Sequence, residues 1–212
     1  MSPAPGRCGG ARTLLLATGN RGKRAEFAEL LAPLALELRS LAELPSVELP
    51  AEGEDYERNA VAKALAAARA SGWVALADDS GIELTALGGA PGPLSARYGG
   101  AGLDDAARCA RLLGALAASG SRERRARFVC VAAFATPAGA IELAHGECRG
   151  SILPAPRGSA GFGYDPIFQP EGYEVSMAEL PAQVKNRISH RARALAALAP
   201  ALARSFATLR SA

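Results

Sequence analysis

Two adjacent carboxylates in Asp78-Asp79-Ser80-Gly81, a Gly/Asn loop in Thr18-Gly19-Asn20-Arg21-Gly22-Lys23, and three scarce lysines are the residues of this chain that could do chemistry on an anion. Of 24 Lys and Arg residues, only Lys23, Lys63 and Lys185 are lysines. Each lies in a stretch that also holds one of the asparagines, Asn20, Asn59 and Asn186. A compact ammonium makes a point contact with phosphate oxygen that a planar guanidinium fork does not reproduce. The competing explanation is chance survival of a few lysines in an Arg-rich chain.

The Thr18 to Lys23 loop follows a short apolar run and opens a helix, so backbone N–H groups and the helix dipole converge on one spot suited to an anion. It lacks the G-x-x-x-x-G-K-[ST] of a P-loop, so an ATPase does not follow from it. Asp78 and Asp79 fall at the end of a buried strand, where open α/β sheets bind ligands. Adjacent strand residues face opposite ways, so only one of the two is expected in a site, as a Mg²⁺ ligand or general base; the alternative is a turn or cap pair. In Gly161-Phe162-Gly163-Tyr164-Asp165-Pro166, glycines flank an aromatic that either stacks on a flat ligand or packs as a turn. The packed alternative suits Tyr164 better than Phe162. Ser189-His190-Arg191 offers hydroxyl, imidazole and guanidinium at a helix start. Such donors favour a purine's 6-keto oxygen over a 6-amino group, with His190 as a mere capping residue the alternative.

The elements that must position these groups read as an α/β fold with a mixed sheet flanked by helices. A strand over Thr13 to Ala17 precedes a helix over Lys23 to Leu34, with Phe27, Leu30, Leu31 and Leu34 at helical spacing. An Ala-rich helix over Tyr56 to Ser71 stops at Gly72, and a strand over Trp73 to Ala77 ends at the aspartate pair. The Gly88 to Gly102 loop is longer than a plain connection needs. Asp104 and Asp105 open a helix to Ser119, Arg127 to Ala135 pairs with Ala140 to Glu147 as a hairpin, and a last helix spans Ser189 to Leu209.

At 212 residues and 49% hydrophobic, the chain buries a full core, with residues 13–212 as one domain behind a disordered extension, residues 1–12. The formal charge of +3 permits an anionic small molecule and does not argue for nucleic acid. Cys8, Cys109, Cys130 and Cys148 show no C-x-x-C spacing, and two histidines supply no zinc set. Free thiols and the lack of an apolar signal or membrane segment suit a cytoplasmic protein.

Six strings in one order, T-G-N-x-x-K, N-A-x-x-K-A, A-D-D-S-G, G-G-A-P-G with S-A-R-Y, G-F-G-Y-D-P and K-x-x-I-S-H-R, make the chain resemble the Ham1/RdgB family of inosine triphosphate pyrophosphatases from about Leu14 to Leu209. The resemblance implies two lobes with a substrate cleft between them, a homodimer, and Mg²⁺-dependent hydrolysis of ITP, dITP or XTP to the monophosphate and pyrophosphate. It implies that Thr18, Gly19, Asn20, Arg21, Gly22, Lys23, Lys63 and Lys185 hold the triphosphate. Asp79 would be catalytic base and metal ligand, with Ser80 beside it. Phe162, Gly163, Tyr164, Asp165, His190 and Arg191 would hold and read the base. Where many relatives carry an acidic residue, this chain has Pro50-Ala51, with Glu52 shifted next to Gly53 as the candidate second metal carboxylate. The other class to weigh is a nucleotide-binding module without turnover, regulatory or RNA-associated. A carboxylate near phosphate disfavours it unless a metal lies between.

Overall fold

The computed structural model describes residues 12–44 and 47–208. The expected N-terminal extension, apart from Arg12, lies outside the described residues, as do Cys8 and Leu209. Six strands form one sheet: β1 (Thr13–Leu16), β2 (Glu37–Ser40), β3 (Val74–Leu84), β4 (Arg125–Ala135), β5 (Ile141–Ile152) and β6 (Phe168–Pro170). Their order is β2-β1-β3-β4-β5-β6, with β1 parallel to β2 and β3 and the remaining pairs antiparallel. Helices α1 (Arg21–Leu31), α2 (Tyr56–Ser71), α3 (Asp105–Ala118), α4 (Ala182–Ile188) and α5 (His190–Thr208) flank it. Among the described residues, no helix is long and apolar enough to cross a membrane.

Strand alternation divides the helices between the two faces of the sheet. Val74 and Leu76 of β3 pack with Phe27 of α1 and with Ala194, Leu195 and Leu198 of α5. Ala75 and Ala77 pack with Ala60, Ala64 and Ala67 of α2. Alanine against alanine holds the α2 backbone close to the strand, and Asn59 and Lys63, four residues apart on the same face, are carried down with it. Asp55 caps this helix by accepting from the Arg58 N–H, and Gly72 ends it at φ 73°, a left-handed stop that other residues adopt poorly.

Three expectations change. β3 does not end at the aspartates but continues through them to Leu84, because the Gly92–Arg97 turn of the long loop covers its edge beyond them. There the Ile82 N–H donates to Ser95 Oγ (2.8 Å), and a Cβ on Gly81 would lie 2.0 Å from Gly92 O, so only glycine lets the turn close on the strand. The C-terminal helix begins after a break at Ser189, whose extended backbone ends α4 and whose Oγ accepts from the Ala192 N–H (3.1 Å). Ser189, and not His190, therefore caps α5. β2 and β6, short edge strands, are additions.

α5 crosses β5 over Gly146, where a Cβ would meet His190 O at 2.1 Å and Ala194 N at 2.4 Å. Both are backbone atoms and cannot swing aside. Gly146→Ala is expected to cost about 1–3 kcal/mol or more, read as a lowered denaturant midpoint.

Candidate active site

The sheet brings the chemistry-bearing segments to the end of β1. Asn20 closes the loop by capping α1, its Oδ1 accepting from the Lys23 N–H (3.0 Å), while Thr18 Oγ1 accepts from the Asn20 N–H (3.2 Å). Gly19, Asn20 and Arg21 are exposed. β3 pairs with β1 only through Leu76, so at Asp78 to Ser80 no strand among the described residues lies on its β1 side. This open edge is where the two aspartates stand.

Asp78 and Asp79 face opposite ways, as expected, yet both engage residues predicted for the site. On the α1/α5 face, Asp78 Oδ2 meets Lys23 Nζ (3.0 Å) and accepts from Arg191 Nε and Nη2 (3.3 Å each). On the α2 face, Asp79 Oδ2 accepts from Asn59 Nδ2 (2.8 Å), and Oδ1 lies 3.6 Å from Lys63 Nζ, which also pairs with Glu52. Their charges are felt across the strand: Lys63 acts on Asp78, and Lys23 on Asp79. Asp78 is thus held in a buried ion pair on one face of β3, while Asp79 faces Lys63 and Asn59 on the other.

The two carboxyls titrate in opposite directions. Burial alone would raise Asp78, but Lys23, Arg191 and Lys63 outweigh it and hold the group well below the usual carboxylate range. Burial wins at Asp79 against Lys63 and Asn59, and the neighbouring Glu52 charge adds to it, so that carboxyl is raised. Lys63 is disfavoured by burial but held charged by Asp78, Asp79 and Glu52.

The aromatic loop closes over the same place. Phe162 lies against the Gly/Asn loop: a Cβ on Gly22 would be 2.4 Å from its ring. Lys185 Nζ stands 4.9 Å and Arg191 Cζ 5.5 Å from the ring centroid. Lys185, expected among the phosphate lysines, stands beside this loop, 2.5 Å from Asp165 Oδ2 and 2.5 Å from Glu26 Oε1. Asp165 also accepts from the Phe162 N–H (3.0 Å), and Gly163 N–H donates to Asp105 Oδ2 (2.6 Å). Arg191 is 1% exposed, and its donors are taken by Asp78, Glu26 and Ser80 Oγ (3.0 Å). Two expected base-side residues turn into the packed interior. Tyr164 donates its hydroxyl to Ser95 O (2.8 Å), and His190 stacks on Phe128 at 4.7 Å, where burial and Arg191 keep it neutral.

The sequence model of the Ham1 family matches residues 14–201. The chain belongs to the Ham1 family. A dITP/XTP pyrophosphatase of Deinococcus deserti is 50% identical over 188 residues, covering 88% of this chain and 88% of the relative. Another, of Desulfotalea psychrophila, is 48% identical over 184 residues, 86% of this chain and 82% of its own. A solved HAM1 protein from Coxiella burnetii superposes with a TM-score of 0.82 at 41% identity, covering 91% of this chain and 99% of that one.

Within this Ham1 chain, three side chains outside the expected binding set tie the site together. Glu26, 9% exposed on α1, joins Lys185 to Arg191; Asn59 joins Asp79 to the Glu52 loop; and Asp78 joins Lys23 to Arg191. Asn59 stands inside the N-A-x-x-K-A string, which is a signal; Glu26 gives none beyond being an ordinary helix carboxylate.

Because its folded carboxyl is depressed, Asp78 contributes stability above the usual carboxylate range and loses it as pH falls through the folded value. Asp78→Asn, which leaves Lys23 and Arg191 short of a partner, is expected to cost about 3–5 kcal/mol near neutral pH. The gap between the two proteins in thermal or denaturant unfolding should narrow as the solution is acidified.

Proposed function

We propose that this chain hydrolyses non-standard purine nucleoside triphosphates of the dITP, XTP and ITP kind to the monophosphate and pyrophosphate, with Mg²⁺. The observation that carries the proposal is the Glu52, Lys63 and Asp79 cluster at the open edge of β3, beside a helix-capped loop that ends in Lys23. Membership of the Ham1 family and its dITP/XTP pyrophosphatase relatives support it.

Glu52 and Asp79 offer oxygen donors only and share one ammonium, and no group of three His, Cys, Asp or Glu residues gathers among the described residues. That donor set fits a hard cation that keeps most of its waters and is completed by substrate phosphates. When bound, Mg²⁺ supplies charge neutralisation on the triphosphate. The Thr18 to Gly22 backbone and Lys23 hold phosphate oxygens, and Lys63 spreads the charge that develops on them. Asp79 Oδ1 takes the proton of a water whose oxygen bonds to the α-phosphorus, while the bond from that phosphorus to the bridging oxygen breaks and pyrophosphate leaves. Its raised carboxyl suits the proton-accepting role. The purine lies against Phe162 and the Gly163 backbone, at the end of the site that Asp165 and Lys185 hold; Tyr164, His190 and Arg191, packed behind it, and Ser80 brace it. A homodimer in the cytoplasm, without nucleic-acid or membrane partners, belongs to the same proposal.

Purified protein with Mg²⁺ is expected to release pyrophosphate from XTP, dITP and ITP faster than from ATP, and Asp79→Asn to lower turnover by about 10²-fold or more. Glu52→Gln should raise the Mg²⁺ concentration for half-maximal rate, whereas Glu48→Gln and Glu54→Gln leave it alone. Nucleotide binding without pyrophosphate release would make the chain a binding module instead.

A further inference from the structure

Asn59 is 6% exposed, one helical turn before Lys63 on the face α2 turns to the sheet. Its carboxamide is bonded at both ends. Oδ1 accepts from the Gly53 N–H (2.7 Å), and Nδ2 donates to Gly53 O (3.0 Å) and to Asp79 Oδ2 (2.8 Å). The partners fix the amide's orientation, since a backbone N–H only donates and a carbonyl or carboxylate only accepts. The Gly53 N–H belongs to the peptide that joins Glu52 to Gly53, and the carbonyl of that same peptide, Glu52 O, accepts from Arg97 Nη2 (3.0 Å). One peptide unit is therefore gripped from both sides, by a buried amide on α2 and by an exposed arginine on the long loop. That peptide carries Glu52 in a Pro/Gly-containing segment with no helix or strand of its own, Pro50 to Gly53.

We infer that Asn59 is a positioning residue that sets the Glu52 carboxylate and the Asp79 carboxylate in register around Lys63, with Arg97 latching the other side of the same peptide. The inference rests on the roles proposed above for Asp79 and Glu52. No other side chain of similar size does this work: Asp at position 59 sets a like charge against Asp79 and has no donor for Gly53 O, and Ala or Leu bonds neither. A shift of the order of 1 Å in a reacting group lowers rates by about 10²-fold, so an amide that holds one such group and the loop of another bears on turnover without touching substrate.

The test uses the full chain as wild type, Asn59→Ala, Asn59→Asp and Arg97→Ala. Hydrogen–deuterium exchange of residues 50–54 is measured without substrate, and pyrophosphate release is measured against substrate and Mg²⁺. Asn59→Ala is expected to speed exchange in 50–54 by about tenfold. It should also lower kcat at saturating substrate and Mg²⁺ by about 10- to 100-fold, leave KM within about threefold, and raise the Mg²⁺ half-saturation. Asn59→Asp should lose at least as much kcat despite keeping an acceptor for the Gly53 N–H. Arg97→Ala should speed the same exchange and raise the Mg²⁺ half-saturation, with a smaller loss of kcat because the Asn59–Asp79 bond survives. Faster exchange with kcat and Mg²⁺ dependence unmoved would reduce Asn59 to a loop anchor and overturn the inference, as would unchanged exchange. If Asn59→Ala fails to fold, Arg97→Ala, altered on an exposed side chain, decides by the same two readouts. If the wild type itself releases no pyrophosphate, the proposed activity falls, while the exchange arm still decides whether Asn59 holds the loop.

Discussion

Arg191 carries its charge into the interior at 1% exposure, and the surroundings of the candidate site follow from keeping that charge paired. An isolated buried guanidinium is prohibitively costly, so carboxylates must meet it. Asp78 comes from the middle of β3 and Glu26 from α1, and each then needs a second cation: Lys23 for Asp78, Lys185 for Glu26. Lys185 in turn reaches Asp165 of the aromatic loop. Charges alternate from the Gly/Asn loop to the aromatic loop, Lys23, Asp78, Arg191, Glu26, Lys185, Asp165, through four separate parts of the chain. Such a chain tolerates no deletion at its middle without stranding a neighbour, which ties the relative placement of α1, β3 and α5 to electrostatics as much as to packing.

The opposite face of β3 works on another principle. There the sheet and α2 meet through alanines, with little shape to lock them, and the polar end of the interface supplies the specificity. Asn59 and Lys63 sit where the alanine contact gives way to the open edge, and their bonds to Asp79 and to the Glu52 loop fix where the helix stops sliding. A buried alanine seam and a short polar terminus thus divide the labour: close approach from the first, register from the second.

Much of this architecture is legible in the amino-acid sequence. The Ala-rich helix has its expected bounds, Tyr56 to Ser71, because an aspartate cap, a periodic small-residue face and a glycine stop all agree. The Gly/Asn loop, the aspartate pair and Phe162 do converge. What the sequence hides, it hides for physical reasons. β2, Glu37 to Ser40, has no buried residue and little apolar content to announce it; it exists because β1 offers an edge. Two successive aspartates look like a turn, and nothing local reveals that cations from three helices, Lys23, Lys63 and Arg191, will neutralise them inside a strand. Glu26 lies among charged neighbours on α1 and is distinguished only by what α4 and α5 bring to it from the far end of the chain.

The contact between Phe162 and Gly22 carries a consequence for how this sequence can drift. Gly22 does not have a positive φ, so its backbone would accept any residue; the ring is what forbids a side chain. The absence of a side chain at 22 and the presence of a ring at 162 are one decision written in two places. A lineage that replaced Phe162 with a smaller residue would free position 22 to vary, and one that enlarged position 22 would have to shrink or reorient residue 162. The two loops are therefore expected to change together in descendants of this chain, as a linked pair.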